Sequence, residues 1–176
     1  MMLEQYRSEN ITGCDMALKT NVKWGAKNAS AKYSVKGKTL RDVVKVLNKQ
    51  EEWGKFKWYV SNAYKTAGGS LASVTIKPTW SITMPKWPGY EKSSKAVKTS
   101  WDTMWKELFK HEEGHRKIFE DNVKTLIAEI TRKRPTDAAD FTSIFDDALD
   151  TMDKNQKSFD KKTKHGKNTI KLDLDA

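Results

Sequence analysis

The chain has 176 residues, a net charge of +10 and one cysteine, Cys14. That is one domain's length, enough for a proper core, and it excludes an intrachain disulfide and a cysteine-built structural zinc site. No apolar run approaches a membrane span, and Met1-Met2-Leu3-Glu4-Gln5-Tyr6-Arg7 lacks a positive segment followed by an apolar core, so a Sec signal is either absent or already removed.

Residues 1–15 read as a flexible lead to a single domain that spans 1–176. Met16, Leu18, Val22 and Trp24 alternate with polar neighbours, as do Tyr33 and Val35, which predicts two short strands. A helix follows, capped by Thr39, with Leu40, Val43, Val44 and Leu47 on its apolar face and Glu51-Glu52-Trp53-Gly54 closing it. Phe56, Trp58, Val60 and Tyr64 then alternate in one strand, Gly68-Gly69 turns the chain, and Val74, Ile76, Trp80 and Ile82 alternate in the next. Pro78 assigns that second strand to a sheet edge, because proline cannot donate to a ladder. An edge there could accept a peptide as a further strand. The seven tryptophans read as core and cleft walls.

From Val97 to Ile130 the apolar residues recur at helical spacing, and His111-Glu112-Glu113-Gly114-His115 falls in the gap of that stripe. Two histidines at i and i+4 share one helical face, so both imidazoles can reach one Zn²⁺ at about 2.0 to 2.1 Å. Glu112 then stands beside the metal's open position, where a carboxylate can take a proton from zinc-bound water and pass it to a leaving amine. Ionisable groups turned inward would be costly without such a partner. Gly114, unfavourable in a helix interior by about 1 kcal/mol, suggests close approach by another backbone.

The helix runs on to about Lys133, where Arg134-Pro135 stops it. Phe141, Ile144, Phe145, Ala148, Met152 and Phe159 predict a second helix, with Asp137 and Asp140 in its opening turn, folded back as an antiparallel hairpin. From His115 the chain climbs about 28 Å to Arg134 and returns about 34 Å by Phe159, so the segment after Phe159 arrives level with the two histidines. That basic tail, 160–176, holds the remaining histidine, His165, which is the expected third ligand. Asp160 is expected to hold a ligand's other N–H. A carboxylate ligand, Asp146 or Asp147, is the competing arrangement.

The lysines are scattered along the chain, and denser from Lys154 to Lys171. Solubility explains them more simply than attraction to an anionic envelope surface, and nucleic acid is disfavoured because few arginines supply forked donors.

Tyr33-x-Val35-x-Gly37-x-Thr39, the Trp-rich hairpin, Pro85-x-Trp87, Trp101, the HEEGH helix and Asp160-x-x-Thr163-x-His165-Gly166 together resemble a bacterial family, the domain of unknown function nine-two-two, grouped with secreted zinc-dependent proteases. The resemblance covers roughly Tyr33 to Gly166. It implies His111, His115 and His165 as zinc ligands, Glu112 as catalytic base, and a secreted or periplasmic location; with no signal peptide in the sequence, a cytoplasmic location or non-Sec export is the alternative.

The expected protein is therefore α+β: a zincin-like zinc metallopeptidase with a mixed or antiparallel sheet packed on the active-site helix, acting on a peptide or protein. Tyr90 and Tyr64 are candidate oxyanion donors. The rival readings are a zinc amidase for cell-wall or other non-protein amides, and a zinc-stabilised basic binding module without catalysis.

Overall fold

The computed structural model describes residues 17–166 and 170–175; the expected lead at 1–15, with Met16, lies outside the described residues. Strands β1 (Lys19–Val22), β2 (Lys27–Ser34), β3 (Lys55–Ala67) and β4 (Ser70–Lys86) form one mixed sheet. Helix α1 (Leu40–Leu47) joins β2 to β3, and α2 (Lys95–Lys133) and α3 (Ala138–Thr163) follow the sheet. Gly68 and Gly69 make the β3–β4 turn with φ of +58° and +82°, the left-handed conformations that a two-residue hairpin requires.

Strand β4 is the centre of the sheet and not its edge. It pairs antiparallel with β3 along one side, while β1 and β2 lie end to end along the other, both parallel to it. Proline is tolerated there for a local reason. The Ile76 and Pro78 carbonyls accept from Lys23 and Gly25, and the Trp80 N–H donates to Ala26, so these alternate residues turn their backbone groups toward the β1/β2 side. The donor that Pro78 lacks therefore faces the break between β1 and β2, where the ladder is interrupted anyway. Among the described residues the sheet's edges are β3 on one side and β1 with β2 on the other.

One face of the sheet is packed. Val74, Ile76, Ile82 and Met84 of β4 are fully or almost fully buried, and Phe56 and Trp58 of β3 meet Phe119 of α2 at ring distances of 6.1 and 5.5 Å. Helix α1 is a single two-turn element with a capping box between Thr39 and Asp42; it ends at Asn48, so Glu51-Glu52-Trp53-Gly54 is a loop and not its last turn.

Helices α2 and α3 form the antiparallel hairpin, with Arg134 in a left-handed cap and Asp137 capping α3. Asp160 to Thr163 belong to α3, so the tail proper starts at Lys164. Residues 170–175 then return along the first turns of α2, where the Ser100 hydroxyl bonds both the Asp173 carbonyl at 3.0 Å and the Asp173 N–H at 2.8 Å.

Gly114 is approached by a side chain rather than by a backbone. A Cβ there would overlap the Phe159 ring, which is itself stacked on His111 at 5.1 Å and edge-on to His115 at 4.8 Å. Gly114→Ala is expected to destabilise the protein by about 1 to 3 kcal/mol despite alanine's better helix propensity. Urea unfolding would measure it, and an unchanged or raised midpoint would contradict the packing argument.

Candidate metal centre

The site is assembled by two helices whose i, i+4 pairs face one another. His111 and His115 lie one turn apart on α2, and Gln156 and Asp160 lie one turn apart on α3. Because the helices run antiparallel, all four side chains meet at one level.

Gln156, which sequence reasoning overlooked, fixes the tautomer of His115. Its Nε2 donates to the His115 carbonyl at 3.1 Å, which leaves Oε1 facing His115 Nδ1 at 2.6 Å. Two acceptors cannot share that distance, so Nδ1 carries the hydrogen and donates it. The signal was present in the sequence as a buried-stripe position: Gln156 follows Met152 by four and precedes Asp160 by four, on the inward face of α3.

Three ligand atoms converge opposite Gln156. His115 Nε2 is 3.3 Å from His111 Nε2 and 3.0 Å from Asp160 Oδ1, and His111 Nε2 is 3.3 Å from the same carboxylate oxygen. A proton on His115 could relieve one side of this triangle but not all three. Ligands bound at about 2.0 to 2.1 Å in a tetrahedron stand about 3.3 to 3.4 Å apart, close to the observed sides. The residues present therefore fit a metal ion, held by two imidazoles and one carboxylate. Burial and the neighbouring His115 hold His111 below the ordinary imidazole pKa, partly opposed by Asp160, which favours the neutral form that coordinates.

Asp160, expected behind a ligand, thus stands within the triangle. His165 stands at its rim: its side chain is 64% exposed and its Nδ1 lies 3.6 Å from Asp160 Oδ1. Lys164, His165 and Gly166 all have positive φ, a reversal that lifts His165 to the surface of the cavity. Tyr90 and Tyr64 are not brought here. The Tyr90 hydroxyl donates to Asp102 at 2.8 Å, and Tyr64 meets Phe141 edge-on at the far end of β3. Asp146 and Asp147 both lie on the third turn of α3, well before Gln156, and are exposed.

Glu112 is 4% exposed and borders a cavity of about 530 Å³ with His111, His115, Asp160, His165 and the Glu51–Gly54 loop. Its carboxylate accepts a hydrogen bond from the Phe56 N–H. Burial, reinforced by the Glu52 carboxylate, pushes its pKa up to about 8. Gly54 closes over it so tightly that a Cβ at that position would come within 2.7 Å of Glu112 Oε1.

An α+β protein with a His–His–Asp group able to hold a metal ion is the class that fold and site define. Residues 30–166 match the family model described as "Bacterial protein of unknown function (DUF922)", and the chain belongs to that family. No curated protein and no solved structure matches it.

Two outcomes follow from the geometry. Gln156→Leu removes the acceptor that orients His115 and should weaken metal affinity by about 10- to 100-fold, read by competition with a chromogenic chelator; unchanged affinity would dismiss the tautomer argument. In metal-stripped protein, Glu112 has a folded pKa above its unfolded value, so its contribution to stability is intact below about pH 4.5 and lost as pH rises through about 8. Thermal melts across that window should show a decline that Glu112→Gln flattens.

Proposed function

We propose that the protein is a zinc-dependent metallopeptidase. The observation that carries this reading is the adjacency of two things: a two-imidazole, one-carboxylate triangle, and a buried glutamate from the same helix that borders the same open cavity. His111, His115 and Asp160 would hold the ion. Bound there, zinc supplies Lewis acidity, lowering the pKa of water and polarising a carbonyl.

The chain's own residues do the rest. Glu112, in its charged form, accepts a proton from water and returns it to the leaving nitrogen. His165, exposed at the rim, donates to the substrate's carbonyl oxygen as charge develops on it, and so acts from outside the triangle. Phe56, Trp58 and Val60 turn their backbone groups away from β4, because the intervening residues face it; the Phe56 N–H is held by Glu112, and Trp58 borders the cavity. An extended peptide can pair with the outward backbone of β3 at Trp58, which would bring its scissile bond beside Glu112 and the water it deprotonates.

Metal content and hydrolysis of an unstructured protein, measured together, test the assignment. Zinc should bind at one equivalent, be lost in Asp160→Ala, and be kept in both His165→Ala and Glu112→Gln. Glu112→Gln should be inactive, and His165→Ala should lose about 10²- to 10³-fold in kcat. Zinc lost with His165 and retained without Asp160 would make His165 the third ligand. Full activity in Glu112→Gln would end the peptidase mechanism.

A further inference from the structure

The other face of the sheet is bare of helices among the described residues, and the charges its strands carry are all positive, with Glu51 and Glu52 of the preceding loop adjoining it at the Lys55–Thr83 end. The four strands contain no aspartate, no glutamate and no arginine. Pairing registers place Lys19, Ser73 and Lys65 in one row across the sheet, Lys77 beside Ser61, Tyr59 beside Thr79, Lys57 beside Ser81 and Lys55 beside Thr83. Side chains alternate along a strand, so all of these point away from the packed face. From Ser73 to Thr83, each outward residue of β4 is serine, threonine or Lys77.

These lysines differ from several on the helices. Lys110, Lys124, Lys133 and Lys157 are each paired with an acid three or four residues away. Among the described residues, Lys19, Lys55, Lys57, Lys65 and Lys77 form no ion pair, and all are exposed. Five lysines spread from residue 19 to residue 77 are thus brought by the fold onto one surface.

We propose that this face binds a linear acidic polysaccharide, a glycan carrying carboxylates or sulfates along a hydroxylated chain. Shape supports a chain over a plane. The strip is about 34 Å long but only about 10 Å across, and a sheet of three abreast strands this long is twisted, so a flexible polymer can follow it where a bilayer would touch it at one place. Chemistry supports a glycan over nucleic acid. Phe56, Trp58 and Trp80 face the core, which leaves no row of aromatics on which bases could stack, and no strand offers an arginine fork for phosphate. Lysine point charges set among serine and threonine hydroxyls match a chain of anionic and hydroxyl groups. Tyr59, 65% exposed midway along the strip, gives one ring for the apolar face of a sugar. The proposal does not depend on the peptidase reading, since the site and this face use opposite sides of the sheet.

The test is calorimetric titration with a polygalacturonate oligosaccharide of defined length, beside neutral dextran, a 30-nucleotide single-stranded DNA and phosphatidylglycerol vesicles. Binding should be selective for polygalacturonate and weaken steeply with salt. Lys57→Glu/Lys65→Glu/Lys77→Glu should weaken it by at least about tenfold, whereas Lys124→Glu/Lys133→Glu/Lys157→Glu, with the same change in charge, should leave it within about twofold. Tyr59→Ala should weaken it several-fold. The glutamine version of the sheet triple, checked by circular dichroism, serves if charge reversal impairs folding. No binding, equal weakening by the two triples, or tighter binding of DNA or vesicles would each overturn the proposal.

Discussion

The structure depends on how three ionisable side chains of one helix are accommodated in the interior. Glu112 and His115 are 4% and 8% exposed, and His111 is only partly exposed beside them. Such groups are tolerated inside a protein only when each finds a partner. The partners come from two directions. Helix α3 supplies Gln156 and Asp160 to the histidines, while β3 and the loop before it supply the Phe56 N–H and the close cover of Gly54 to the glutamate. The motif is therefore a junction: residues at i and i+4 turn to α3, and the residue between them, one position round the helix, turns to the sheet.

This division explains the contrast in environment within a five-residue segment. Glu113, next to Glu112, faces outward and is clasped by Arg116, whose Nη2 lies 2.7 Å from it. Glu112 has no cation among the described residues and a raised pKa, because the apolar surroundings of Leu108 and Trp53 remove water without supplying positive charge. Two adjacent glutamates thus hold opposite roles, set by helical rotation alone.

Much of this was legible in the sequence. The spacing of His111 and His115 defined a shared face, and the lengths of the two predicted helices returned the chain to the right level. What length could not provide was the rotation of α3 about its axis. That rotation decides whether the inward group is Asp160, still within the helix, or His165, beyond it, and it depends on how Phe159 seats against Gly114. Histidine's stronger association with zinc put His165 ahead of Asp160 as a ligand, and Gln156, four residues before Asp160 in the same register, was passed over. Pro78 shows a different limit. The rule that proline cannot donate held, but the conclusion that its strand lies at an edge failed, because a break between two short neighbouring strands supplies the same relief in the middle of a sheet. The lysines show a third, since residues far apart in the chain share a face only after register is known.

The hairpin of α2 and α3 also has a kinetic meaning. Every member of the His–His–Asp group, and Gln156 with it, comes from two helices adjacent in the chain, so the group can form as the hairpin closes from its turn, without the sheet. The environment of Glu112 cannot, because Gly54 and Phe56 must first close a loop of more than fifty residues back onto α2. An ion captured by the early hairpin would stabilise it by mass action while Glu112 is still open to water. Assembly of the His–His–Asp group and enclosure of Glu112 are then separate events in the life of a folding chain, and the second waits on β3.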